Sequence, residues 1–135
     1  VPGIPAAQPR HRVANGHAYI PGDHAVHGFK DAIILAAREA MNGEKAIKGS
    51  MVIVIEAVFP RVTARPKYIA KDAWKSGGRL PYQGNKDWDN IGKAVCDALI
   101  GWCYDNDHKI IEGIVRKEMA SVDEMPHTKI NITEI

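Results

Sequence analysis

The sequence predicts an α+β domain in which a mixed β-sheet packs against two main helices. Three observations lead there. Met51 to Phe59 is an unbroken apolar, β-branched run closed by Pro60, the mark of a central strand covered on both faces. Val26, Phe29, Ile33, Ala36, Ala37 and Ala40 recur at three- and four-residue steps, the mark of a helix. Ile130 and Ile132 alternate with Lys129, Asn131 and Thr133, the mark of a strand with one polar face. The 135 residues make one domain, 1–135, able to bury roughly 68% of its unfolded surface without a disulfide or metal. A hydrophobic share of 45% and a charged share of 25% exclude a disordered chain, collagen and a coiled coil. No apolar run approaches the ~20 residues of a membrane span. Val1 to Gln8 does not have the form of a signal peptide. With only Cys96 and Cys103, reduced thiols in the cytoplasm are expected.

In chain order, Asn15-Gly16 between two semi-apolar runs predicts a hairpin over residues 12–20, because that pair tolerates the positive φ angles of a type I′ turn. Asp23 is the expected cap of the first helix, and Asn42-Gly43 ends it. After the central strand, a second helix is expected from about Asn90 to Leu99, stopping near Gly101. Strands at about Lys109–Glu118 and Lys129–Glu134 complete the chain.

The net charge of +2 singles out no partner, but its distribution does. Residues 60–86 hold seven basic side chains against the single acid Asp72, a local charge of +6. Tyr68, Trp74 and Tyr82 are interleaved with Lys67, Lys71, Lys75 and Arg79, and Gly77-Gly78 is expected to let this loop move. Such a segment suits phosphate contacts. A solvated charged face with inward aromatics would have the same composition. Residues 87–107 reverse the sign, with five aspartates against Lys93 alone, a local charge of −4.

Within that acidic stretch, Asp87 and Asp89 stand two apart, which in extended chain turns both carboxylates the same way. Trp88 between them is then expected to point into the core. Asp89, Lys93 and Asp97 follow at four-residue steps along one helix face. Asp105 and Asp107 lie in the next turn, which brings a third carboxylate to the pair if the following strand pairs beside Asp87. Carboxylates gathered in this way repel unless a cation sits among them, and their hard oxygens suit Mg²⁺ or Mn²⁺. Such a cation polarises a phosphoryl oxygen and lowers the pKa of bound water, while a neighbouring lysine offsets transition-state charge. Ordinary helix capping and turn chemistry would account for the same acids. Calcium is excluded: read as an EF-hand loop from Asp87, the fifth position is Ile91 and the twelfth is Ala98, where a bidentate Glu is required.

Lys86-Asp87-Trp88-Asp89-Asn90-Ile91 with Lys93, Asp97-Ala98-Leu99, then Trp102, Tyr104, Asp107 and Ile110, resembles the signature of the RusA family of Holliday junction resolvases. Val1-Pro2-Gly3-Ile4-Pro5, Arg10, Arg12 and Tyr19-Ile20-Pro21 are similar to that family's N-terminal strand and basic substrate-binding segment. The resemblance implies a RusA-like fold and a homodimeric endonuclease of a bacterium or phage, associated with the nucleoid. It implies Mg²⁺ dependence, with Mn²⁺ as a substitute, and paired symmetric nicks in four-way DNA junctions during recombination and repair. It assigns Asp87 and Asp89 to metal binding, Lys93 to catalysis, Asp107 to the third metal ligand, and Arg10 and Arg12 to DNA. The sequence departs from the pattern at Asn106, which takes the first place of an acidic pair, at Lys109 in place of Gln, and at Lys86 in place of Pro. Asp105 therefore stays open beside Asp107 as the third ligand. Asp97 is read as an acid paired with Lys93 or a backbone donor rather than as a ligand.

Two rival functions share these residues. A relative that binds branched DNA without cutting it would need no Lys93 among its carboxylates, and a hydrolase of small phosphate esters would need no +6 loop. His24 and His27 are assigned to an exposed helix start. Cys96, facing the core, and Cys103, on a short strand, lack the histidine base a nucleophile requires.

Overall fold

The computed structural model describes all 135 residues. The chain opens with a hairpin, β1 (Arg12–Ala14) against β2 (His17–Tyr19). Asn15 and Gly16 form its turn at φ 51° and 76°, both positive as a type I′ turn requires. Helix α1 (Ala25–Met41) follows and ends on Asn42 in the left-handed region. Its cap is His24 and not Asp23: His24 Nδ1 accepts the Val26 N–H at 3.0 Å. An imidazole nitrogen fills the role expected of the carboxylate. His27 Nε2 lies 2.9 Å from the Pro21 carbonyl oxygen, and both histidines are half-buried rather than exposed.

Four strands form the main sheet: β3 (Met51–Phe59), β4 (Leu80–Pro81), β5 (Ile110–Met119) and β6 (His127–Glu134), in the order β4-β5-β3-β6. β3 runs parallel to β5 and antiparallel to β6, so it is central. A parallel neighbour needs a long crossover. Here the crossover carries the basic segment, the short helix α2 (Lys71–Lys75), β4 and helix α3 (Trp88–Leu99). This is an α+β fold of one small domain, as the sequence predicts.

α1 and α3 pack on the same sheet face, where Phe29 and Ile33 meet Val95 and Leu99 over Met51, Ile53 and Ile55. On the other face of β3, Val52, Val54 and Glu56 are half-buried and only Val58 is buried. The expectation of a strand covered on both faces is thus corrected. A β-branched run reads the same whether or not a helix lies over it, and Glu56 is the residue that marks the open side.

The basic segment is more tightly built than its composition suggests. Arg61 donates to the carbonyl oxygens of Gly78 (3.0 Å), Ala120 (3.1 Å) and Trp74 (3.1 Å), and lies 4.2 Å from the centre of the Trp74 ring. Gly77 has φ +74°, its carbonyl accepts the Val122 N–H at 2.9 Å, and a Cβ there would meet Val122 Cγ2 at 3.0 Å. Gly77-Gly78 is therefore a pinned turn rather than a mobile one. Tyr82 stacks on Phe59 at 4.1 Å, and the Tyr68 hydroxyl bridges the Pro81 carbonyl and the Gln83 N–H. The interleaved aromatics hold the loop to the sheet.

Arg79 forks onto Glu124 at 2.8, 3.0 and 2.6 Å. Hydrogen bonding to Arg79 holds the Glu124 carboxyl down at about 2 against the opposing effect of burial, with help from Ser121. A carboxyl depressed in the folded state contributes stability above its unfolded pKa of about 4.5, and that contribution is lost as pH falls toward 2. The pair is partly solvated, so the amount is about 1 kcal/mol or less. Glu124→Gln is expected to melt below the parent at pH 6 and together with it near pH 2, read from Tm against pH.

Candidate active site

α3 carries most of the acidic constellation. Ile91, Ala94, Val95, Ala98 and Leu99 are buried along one face, which leaves Asp89 and Lys93 exposed on the other. Asp87 is the N-cap residue, extended at φ −68° and ψ 133°, yet its side chain makes no capping hydrogen bond. The carboxylate is thus spared from the structural duty its position offers. Asp87 and Asp89 are both exposed and join no ion pair. Asp87 is extended, but Asp89 already lies in the first turn of the helix, so the two do not share an extended segment. Trp88, the first helical residue, is 62% exposed one turn before the buried Ile91. The expectation that it points into the core fails because the chain turns helical at Trp88 itself.

The loop that leads into Asp87 is held from β5. Lys117 Nζ donates to the Lys86 carbonyl at 2.6 Å and the Gly84 carbonyl at 3.1 Å, and lies 5.6 Å from the Tyr82 ring centre. From the other side, the Gln8 N–H donates to the Asn90 carbonyl at 2.9 Å, and Gln8 Oε1 is buried with no partner. Neither Lys117 nor Gln8 carries a sequence signal for this role, since the register of β5 and the path of the N-terminal segment bring them there.

The turn after α3 occupies the opposite end of the helix. The chain returns antiparallel to α3 into β5, so the start of β5 meets the C-terminal half of α3. Burial pushes the Tyr104 phenol and the Cys96 thiol up, and the Asp107 charge adds to both shifts. Cys96 stands roughly 10 Å along the axis from Asp89. No three acidic, histidine or cysteine side chains gather closely enough to hold a metal ion in this chain.

The two candidate third ligands differ in their surroundings. Asp105 is taken by Lys48 at 2.6 Å, and that hydrogen bond is the chief cause of its lowered pKa. Asp107 opens a 3-10 turn (Asp107–Lys109) capped by Asn106, whose Oδ1 accepts the His108 N–H at 3.1 Å, and its own carboxylate joins no ion pair. Lys109 Nζ donates to the Lys48 carbonyl at 2.8 Å. Asn106 and Lys109, two of the three departures from the family pattern, both anchor the turn. Asp97 is half-buried and forms no ion pair with Lys93, contrary to expectation.

The donor set suits a hard cation: Asp87 and Asp89 offer carboxylate oxygens that nothing else in the fold uses. Mg²⁺ keeps several waters and takes one or two protein carboxylates plus substrate phosphate, so a two-carboxylate seat fits it.

Among the candidate DNA contacts, Arg10, Arg12, Lys67, Lys71 and Lys75 are exposed. Lys71 and Lys75 are four apart on α2, hence on one face. Arg79 is committed to Glu124, and Arg61 and Arg65 to backbone carbonyls. Neither cysteine is disulfide-bonded, and burial pushes both thiols up. Cys103 sits in a turn rather than on a strand. No helix is long and apolar enough to cross a membrane.

Of the models of protein families, the one described as Endodeoxyribonuclease RusA matches residues 2–133. A search of curated proteins returns no match.

Proposed function

The chain belongs to the RusA family of endodeoxyribonucleases, and from that premise we propose that it is a Mg²⁺-dependent, homodimeric nuclease that resolves four-way DNA junctions by paired symmetric nicks. The observation that carries the reading is the uncommitted state of Asp87 and Asp89 at the start of α3. A fold that needed them only for capping would bond them to the helix N–H groups. In this reading Asp87 and Asp89 hold the cation, and of the two acids in the turn after α3 only Asp107 is free to act as a further ligand, because Asp105 is spent on Lys48. The cation, when bound, polarises the scissile phosphate and activates water. Lys93 stands one turn after Asp89 and offsets the negative charge that grows on the phosphoryl oxygens. Lys117 fixes the approach of the loop to Asp87.

Two-fold symmetry supplies two such sites related as the two cut strands of a junction are related. Lys67, Lys71 and Lys75, with Arg10 and Arg12, engage phosphates, and the branched shape rather than base edges selects the substrate. Replacing the three lysines by Ala is expected to lower the slope of log binding constant against log salt by about 3 per protomer. Trp88, exposed between the two aspartates, offers a ring to an unstacked base. Trp88→Ala is expected to weaken junction binding by about 1–3 kcal/mol and leave Tm nearly unchanged, read by gel shift and thermal melt.

The deciding experiment incubates a synthetic mobile four-way junction and a matched linear duplex with Mg²⁺ or with EDTA. Paired symmetric nicks on the junction alone, and with Mg²⁺ alone, are expected. Tight junction binding without nicks would make the protein a non-cleaving relative. Equal cutting of linear DNA would keep the carboxylate chemistry and remove the junction. Mn²⁺ titration of Asp107→Asn and Asp105→Asn assigns the third ligand, with weakened binding expected in the former only.

A further inference from the structure

The fold sorts the seven basic side chains of residues 60–86 by what they are bonded to. Arg61, Arg65 and Arg79 are committed to carbonyl oxygens or to Glu124. Lys67, Lys71 and Lys75 are exposed on α2 and the loop before it. Lys86 stands apart from both groups. It is exposed and directly precedes Asp87, and its ammonium joins no ion pair.

Two observations distinguish it from an ordinary surface lysine. Its main chain is anchored from the sheet: Lys117 Nζ holds the Lys86 carbonyl at 2.6 Å and the Gly84 carbonyl at 3.1 Å. Tyr82, stacked on Phe59, packs so closely on Gly84 that no side chain could stand there. The ammonium also leaves the neighbouring carboxylates alone, although Asp87 and Asp89 are both unpaired. The start of α3 thus gathers two free carboxylates, a free cation and first-turn N–H groups that no side chain caps.

These charges suit different groups. The carboxylates suit a metal ion and repel phosphate, whereas Lys86 suits phosphate and repels a metal ion. A DNA strand crossing the site presents both needs, because the phosphate to be cut is flanked by others along the same backbone. We infer that Lys86 is a substrate-binding residue that holds a backbone phosphate beside the scissile one, at the rim of the Asp87–Asp89 seat. The inference rests on the nuclease reading and adds a contact to it. Lys93 follows the carboxylates within α3, Lys86 precedes them, and the loop lysines engage the strand from α2. Because the Lys86 backbone is already held, only its side chain is ordered when DNA binds, which keeps the entropic cost low. Lys86 stands where the family pattern has Pro, so the contact is a feature of this chain.

This placement requires opposite effects on two ligands. The test measures junction binding in EDTA by fluorescence anisotropy and Mn²⁺ binding to the DNA-free chain by electron paramagnetic resonance. Lys86→Gln is expected to weaken junction binding about tenfold and to lower the slope of log binding constant against log salt by about 1. The same variant is expected to bind Mn²⁺ about threefold more tightly, with Tm unchanged. Lys86→Arg is expected to keep the parent's values for both ligands. Lys71→Ala is expected to lower the salt slope and leave Mn²⁺ binding as in the parent. An unchanged salt slope in Lys86→Gln overturns the inference. A lowered slope with unchanged Mn²⁺ affinity places Lys86 among the loop cations and overturns its position at the seat. A fall in Tm that carries junction binding down with it makes Lys86 structural and overturns the inference also. A parent chain that binds no Mn²⁺ brings down the metal seat of the proposed function and this inference with it. A parent that binds both ligands, matched by Lys86→Gln, refutes the inference alone.

Discussion

Asp89→Asn is expected to abolish junction cleavage, by about 10³-fold or more, while the fold and junction binding survive. That loss corresponds to roughly 4 kcal/mol of transition-state stabilisation. Asp89 is exposed, joins no ion pair and stands in the first turn of α3, so its removal costs the helix only a weak interaction with its dipole, about 0.3–1 kcal/mol. An amide keeps the shape and one acceptor oxygen but removes the charge that binds a hard cation. The measurement is single-turnover nicking of a four-way junction beside a thermal melt of the same preparation. A Tm loss that accounts for the lost activity would make Asp89 a structural residue. Lys93→Ala is the companion variant, expected to lose cleavage with Mn²⁺ binding intact. Retained cleavage would remove Lys93 from the chemistry.

Arg61→Ala is expected to cause the largest loss of stability among the charged residues, about 3 kcal/mol. One guanidinium satisfies the carbonyls of Trp74, Gly78 and Ala120 and covers the Trp74 ring. Its removal leaves those acceptors without a charged donor and takes away the cation–π contact. Arg61→Lys is expected to recover less than half, because a point ammonium cannot reach three carbonyls as a planar fork does. Chemical denaturation reads the loss. Junction affinity is expected to fall with it, since α2 and its lysines hang from the same clamp. A loss below about 0.5 kcal/mol, the range of ordinary surface substitutions, would mean that Trp74 and the Gly77 turn hold the segment without Arg61.

The two main helices, the hairpin turn and the three long strands were legible because their causes are local, whereas the short α2 and β4 were read as part of a loop. Asn15-Gly16 states its turn, apolar residues at helical spacing state α1 and α3, and Met51–Phe59 states a strand. The chemistry of the site was legible for the same reason: two aspartates, a lysine one turn later and a basic loop are neighbours in sequence. Errors arose where a residue's role depends on a partner far along the chain. Arg79 read as a free cation, but Glu124 claims it. Asp105 stayed open beside Asp107 as a ligand until Lys48 took it. Trp88 read as buried because the spacing rule for extended chain was applied where the helix had already begun.

The sequence by itself determined the kind of fold, the family, and which side chains are equipped for metal and phosphate chemistry, since these follow from residue types at short spacing. Only the tertiary structure decided which of those side chains remain uncommitted and which sheet face stays open. The physical reason is that hydrogen bonds and ion pairs saturate. A cation or carboxylate is available for DNA or metal only if no distant donor or acceptor has already taken it, and that accounting closes only when the chain has folded.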